Sequence, residues 1–412
     1  MAAELQPVPP AMTELRLAAR AALPEGLLDL SRSEPLPIPL SDDCAARVAE
    51  HFMRARQYSP PAGLMPVREA AARYASGRTG LEIGADRVAI TAGAMAGLAV
   101  ALRTLIEPGD EVLVPVPYFH SYPKQTAMLG GVPRLVDTRP SQGELTPDAV
   151  ERELGPRTRA LLLCNPANPA GVILDRERLA AILAVLPPNV AVIADEVYAE
   201  YVYGAATRDE PAADRDETDD NNFVSALTVA ADEDAGREVV ALDTASKTAA
   251  MPGWRVGTAV GTPGLAPRLA QAAATLTGAP NTLAQLAFAA WLDDPPRLDR
   301  MAPYRPRLRD VLEPLTEAGL TVRPPDGSYY VWATAPGEEH PDAPALGSAD
   351  TALELARRAG VLVWPGILFG DLRSVRISLG VPRRELRDGV RRFTDSWREV
   401  REGDVPSTRS RR

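Results

Sequence analysis

Only two of the 45 basic residues are lysines, Lys124 and Lys247; the others are arginines. A guanidinium stays protonated and cannot condense with an aldehyde, whereas a lysine amine can lose its proton where its surroundings favour that. Lys247 stands in "TASKTAAMPGWRVG", with Thr244 and Ser246 just before it and Arg255 eight residues on. Two hydroxyls and a guanidinium beside an amine would suit a phosphate-bearing aldehyde. Lys124, in "SYPKQ", has no such neighbours and reads as a surface residue.

Other groups could join that chemistry. "ITAGAMAGL" runs from a strand through Gly93 into a helix, which offers free backbone N–H groups and a positive dipole end to an anion. Asp195 closes the apolar run "VAVIAD", at the strand end where open α/β sheets bind ligands. "NPANPAG" supplies Asn168 in a proline-bounded turn, and Tyr198 follows Asp195 by three residues. Taken singly, each also reads as a cap or a turn residue. His51, His120 and His340 lack ligand spacing, so no metal site is expected. The patterns GxGxxG, GxxxxGK[ST], HExxH and GxSxG do not occur, which weakens dinucleotide, P-loop and hydrolase readings.

The elements that must position these groups alternate along the chain. Apolar runs "RVAI", "DEVLVPV", "RALLLC", "VAVIAD" and "EVVALDT" are separated by helix-like segments, the pattern of an α/β domain with helices on both faces of a mostly parallel sheet. "AMAGLAVALRTLIEPGDE" places Leu98, Ala101, Leu102 and Leu105 on one helical face, is stopped by Pro108-Gly109, and leads to a strand from Glu111. From about Ala290 the texture changes to arginine-rich helix, "VRPPDGSYYVWA", a helix around "TALELARRAG" and the strand-like "SVRISLG", a smaller α+β domain. The expected division is an extended arm over 1–40, broken by Pro35, Pro37 and Pro39, a large domain over 41–290, a small domain over 291–400 and a disordered tail over 401–412. The charged segment 208–220 reads as an exposed loop.

Composition narrows the partners. With 412 residues and 45% hydrophobic content the chain can bury a large core, and its net charge of −10 argues against a nucleic-acid partner. Two cysteines, no apolar N-terminal core and no run near the ~20 apolar residues of a membrane span point to a cytoplasmic protein with no membrane role.

Taken in order, "YSPPAGLMPVREA", "TAGAMAG", "PVPYFHSY", "NPANPAG", "ADEVY", "SKTAAMPGWRVG" and "RISLG" resemble the fold-type I, class I/II aminotransferases that use pyridoxal 5′-phosphate, over about Leu28 to Ser396. The resemblance implies that Lys247 holds the cofactor as a Schiff base and then shuttles protons, with Asp195 paired to the pyridine nitrogen. It implies that Asn168 and Tyr198 bond the ring hydroxylate and that Phe119, or failing it Tyr118, stacks on the ring. Gly93, Ala94, Met95, Thr244, Ser246 and Arg255 would line the cofactor site at its phosphate end, and Tyr58 would reach the phosphate of a neighbouring subunit, which implies a homodimer with shared active sites. Arg376, with Asn168 and Ser33 beside it, would clamp the substrate carboxylate.

This chain departs from the family pattern where dicarboxylates are read: Leu276 and Met95 stand where relatives carry basic residues. Ser33 replaces a usual glycine beside the carboxylate, and Ala170 a usual threonine. The implied activity is amino transfer between an amino acid with a neutral or apolar side chain and a 2-keto acid. The alternatives are a lyase, decarboxylase or cyclase on the same fold, and a cofactor-binding regulator, which would need a DNA-binding segment ahead of it.

Overall fold

A computed structural model of the chain describes residues 12–22, 26–40, 42–204, 223–232, 236–296, 298–336 and 345–402. The segment 208–220, His340 and the tail from 403 onward lie outside the described residues.

Seven strands form the main sheet, in the spatial order Val88–Thr91, Gly257–Gly261, Val239–Thr244, Ala191–Asp195, Thr158–Cys164, Glu111–Val116, Val132–Asp137. All neighbours pair in parallel except Gly257–Gly261, which runs antiparallel to both of its partners. The inner strands are apolar runs because both faces are covered, whereas the edge strand Val132–Asp137 is largely exposed. Alternate residues then serve opposite cores: Leu161, Leu163, Val192, Ala194, Val239 and Ala241 join one cluster, and Ala160, Leu162, Ile193, Val240 and Leu242 the other.

Register brings the chemistry to one edge. Thr91 pairs with Gly257 and Gly257 with Thr244, so the turn after Thr91, the residues before Gly257 and the turn after Thr244 meet. Asp195 ends its strand beside Cys164 and Leu242.

A second, antiparallel sheet orders Trp364–Pro365, Ser374–Ser378, Tyr330–Thr334 and Thr321–Val322, and packs with the helices Arg305–Glu317, Ala349–Ala359 and Arg383–Glu402. Arg376 sits in its middle strand, in register with Trp332 and Trp364.

Two expectations need correction. The N-terminal arm is not extended throughout: Met12–Ala22 is a helix, and it buries Met12, Leu15 and Ala19 at helical spacing against the Ala349–Ala359 side. Leu28–Asp29 then pairs in parallel with Val361–Leu362, and the chain beyond runs without regular structure to 40. The change of texture placed near Ala290 falls inside the helix Thr282–Asp293, whose Trp291 and Leu292 still belong to the first core. Those apolar residues continue the helical packing, and the break follows at Asp294 and Pro295.

Candidate active site

Lys247 lies in a single helical turn, Ala245–Thr248, capped by Thr244, whose hydroxyl accepts from Ser246 N at 3.2 Å. Tyr201 Oη donates to the Lys247 carbonyl at 2.9 Å. The amine itself donates to the Ser33 carbonyl, which also accepts from Tyr329 Oη at 2.9 Å and from Tyr330 Oη at 3.3 Å.

Beside the turn is a cup of donors. Arg255 Nη1 donates to Ser246 Oγ at 3.2 Å and to the Pro252 carbonyl at 2.9 Å, and Thr244 Oγ1 donates to Ser246 Oγ at 3.1 Å. Gly93, at φ +83, caps the helix Ala94–Leu105; a Cβ there would stand 3.1 Å from Arg255 Nη2 and 3.6 Å from Thr244 Oγ1. The cup therefore has room for an anion against backbone N–H groups and none for a side chain at Gly93.

Asp195 lies on the floor. Burial pushes its pKa up to about 6, against the pull of the Tyr122 hydroxyl, which donates to Oδ2 at 2.6 Å, and of Val197 N at 3.4 Å. Among the described residues no cation pairs with Asp195. A protonated ring nitrogen is the partner its chemistry suits.

Arg376 is 1% exposed. Its Nη1 donates to Asn168 Oδ1 at 2.9 Å and its Nη2 to Ser33 Oγ at 3.1 Å, while Nε has no partner. Its guanidinium lies 3.9 Å from the Tyr330 ring centroid, 4.8 Å from Trp364 and 5.2 Å from Phe369. Among the described residues no carboxylate pairs with it, and burial pulls its pKa down. A buried cation with a free N–H suits a small carboxylate.

The sequence-derived candidates converge on one cavity of about 300 Å³. Ser33, Ala94, Met95, Phe119, Asn168, Asp195, Tyr198, Thr244, Ser246, Lys247 and Arg255 line it. Gly93, against Arg255, and Arg376, bonded to Asn168 and Ser33, adjoin that lining. Tyr118 lies elsewhere, with its ring where a Cβ on Gly370 would fall. Tyr58 is 100% exposed and does not reach the cavity of its own chain.

Among the lining residues that escaped the sequence reading, three bear on the chemistry. Tyr122 orients Asp195, and "PYFHSY" contained it, but only the fold aims it. Tyr330 joins Tyr198 at 3.2 Å; burial would raise its pKa, yet Lys247 and Arg376 outweigh that and lower it. His120 stacks on Trp364 at 5.4 Å and 20°, and burial, then Arg376 and Lys124, lower its pKa to about 4, so it is neutral at pH 7.

Comparison with known proteins places these observations in a wider group. Residues 28–393 match the family described as aminotransferase class I and II. A probable aspartate/prephenate aminotransferase of Thermus aquaticus is 32% identical over 82% of this chain and 83% of its own. An aspartate aminotransferase of Geobacillus stearothermophilus is 29% identical over 82% of each chain. Among solved structures, a double mutant of Thermus thermophilus aspartate aminotransferase superposes with a TM-score of 0.80 at 28% identity, over 95% of this chain and 97% of that one.

Proposed function

The chain belongs to the class I and II aminotransferases, enzymes that use pyridoxal 5′-phosphate, and we propose that it moves the amino group of an amino acid with a neutral or apolar side chain to a 2-keto acid, with Lys247 as the cofactor's anchor. The observation that carries this reading is the meeting of amine and clamp at one residue: the Ser33 carbonyl accepts from Lys247 Nζ and the Ser33 hydroxyl from Arg376 Nη2. An α-amino acid needs those two groups, a proton carrier at Cα and a carboxylate clamp, close together.

The residues divide the work. The cup of Gly93, Ala94, Thr244, Ser246 and Arg255 would hold the phosphate. Asp195 would keep a proton on the ring nitrogen, Asn168 and Tyr198 would bond the ring hydroxyl, and Phe119 would cover one ring face. The cofactor supplies a conjugated cation that withdraws the electron pair left when a bond at Cα breaks. Lys247, freed by the incoming amine, would carry the proton from Cα. Arg376 would hold the carboxylate and fix which bond at Cα faces the ring.

The aspartate aminotransferases among the relatives raise the question of side-chain choice. Met95 and Leu276 line a neighbouring cavity of about 680 Å³ with Trp364 and Leu368; of the two cations at it, Arg16 is paired with Asp29 at 3.3 Å and Lys124 stands exposed. That apolar wall supports a neutral side chain over an acidic one.

Ser33 from the N-terminal arm, Lys247 from the large domain and Arg376 from the small domain would each supply one side of the substrate site. Tyr58, with exposed Phe52 and Met53 near it, supports a homodimer in which Tyr58 completes the partner's cup. A chain with only two cysteines, Cys44 and Cys164, suits a cytoplasmic setting. Neither nucleic acid nor membrane is a proposed partner. The test is Lys247→Ala, which should lose the visible absorbance of the bound cofactor and turnover while its melting temperature stays within a few degrees; retained turnover would overturn the reading.

A further inference from the structure

Behind the wall that carries Asp195 and Lys247 lies a group of buried charges that the scheme above does not use. Arg78, in the last turn of the helix Met65–Thr79, sends Nη1 to Asp243 Oδ2 at 2.7 Å and Nη2 to within 3.7 Å of Glu196 Oε2. Asp243 is the last residue before the cap of the lysine turn. Its other oxygen, Oδ1, accepts from Thr244 N at 2.6 Å and from Thr248 Oγ1 at 2.5 Å, so one carboxylate holds both ends of that turn. Glu196 follows Asp195, and its Oε1 accepts from Ser225 Oγ at 2.9 Å and from Ala226 N at 2.8 Å. The Tyr74 and Phe223 rings flank Arg78, each 5.8 Å from its guanidinium carbon, and Tyr74 Oη donates to Glu200 at 2.5 Å.

We propose that Arg78 is a positioning residue: through Asp243 it fixes the turn that presents Lys247, through Glu196 it fixes the strand end that presents Asp195, and so it sets the separation of amine and carboxylate across the site. The inference rests on the reading that Lys247 and Asp195 hold the cofactor. Stability alone does not require this arrangement, because apolar side chains of similar volume fill such a space as well or better. What they could not do is bond one strand end and attract the carboxylate of the other from one rigid fork, by a hydrogen bond to Asp243 and an ion pair with Glu196. Burial outweighs the pull of Arg78, Ala226 N and Ser225 Oγ and leaves Glu196 at about 7, so loss of the cation would favour its neutral form and release the strand end from the fork.

The test compares Arg78→Met, Asp243→Asn and Glu196→Gln as full-length, cofactor-loaded proteins, reading affinity for pyridoxal 5′-phosphate, the pH midpoint of the bound cofactor's visible absorbance, and kcat and KM. Arg78→Met should move the midpoint upward by about half a unit or more, because Asp243 and Glu196 lose their cation, and Asp243→Asn downward, because the cation loses its carboxylate. In both, kcat should fall about tenfold or more with KM within about twofold, and cofactor affinity should weaken. A residue that only stabilises the fold would lower the melting temperature and leave midpoint and kcat unchanged. If Arg78→Met does not fold, the isosteric Asp243→Asn and Glu196→Gln decide: wild-type midpoints and kcat in both would overturn the proposal. Absence of a Lys247-dependent absorbance in the wild-type protein would instead refute the reading on which it stands.

Discussion

Ser33 Oγ accepts a hydrogen bond from Arg376 Nη2 at 3.1 Å, so a hydroxyl occupies one prong of the clamp. It can rotate to donate to an arriving carboxylate, which a glycine could not. Ser33→Gly should therefore raise KM for the amino donor about three- to tenfold, the worth of one hydrogen bond of about 1 kcal/mol, with kcat nearly unchanged. Steady-state kinetics check this, and a lower KM would mean that the hydroxyl obstructs the clamp.

Arg376 is held by Asn168 and Ser33 at its two terminal nitrogens, with Nε unpartnered. Arg376→Gln should lower kcat/KM about a hundredfold or more, and Arg376→Lys should restore little, because an ammonium cannot reproduce the planar fork. Equal rates for the lysine variant and the wild type would show that charge alone suffices.

Much of this site was legible because each group sits in its own local motif at a strand end: Lys247 after "ALDT", Asp195 after "VAVIA", Gly93 after "AIT". Local pattern and chemistry coincide there. Tyr330 and His120 were not legible, since nothing in their neighbours says which side of a strand or turn faces the cavity. Arg78 and Asp243 lie 165 residues apart, and only the packing of a helix behind the sheet brings them together. The helix Met12–Ala22 was hidden by reading the prolines of 35–39 back over the whole arm.

Tyr58, fully exposed in its own chain, allows a test across subunits. Lys247→Ala and Tyr58→Ala proteins, each impaired alone, should regain activity when unfolded and refolded together. The hybrid then holds one site with Lys247 from one chain and Tyr58 from the other. No recovery would place Tyr58 outside the site.

Asp195 gives a pH signature. Its folded pKa of about 6 lies above its unfolded value near 3.9, so the native state binds the extra proton between them, and this residue's contribution to stability falls as pH rises through that window. In cofactor-free protein, Asp195→Asn should match wild type near pH 4 and be more stable by roughly 1–2 kcal/mol at pH 7.5, after discount for the wet cavity. Denaturant unfolding at several pH values checks this; a difference independent of pH would contradict it. The same variant should bind the cofactor more weakly.

The proposed preference for a neutral side chain rests on Met95 and Leu276 at the neighbouring cavity. Leucine or phenylalanine should be turned over at least about tenfold more efficiently than aspartate, and Met95→Lys should narrow that gap by improving aspartate. A clear preference of the wild type for aspartate would contradict the assignment.

The most direct measurement is mass spectrometry of the products formed when cofactor-loaded protein meets pooled amino acids with and without a 2-keto acid. Amino transfer predicts sustained formation of new keto acids only when the acceptor is present, with the acceptor gaining nitrogen and Lys247→Ala forming none. Products that accumulate without acceptor, having lost carbon dioxide or a leaving group or gained a ring, would contradict it.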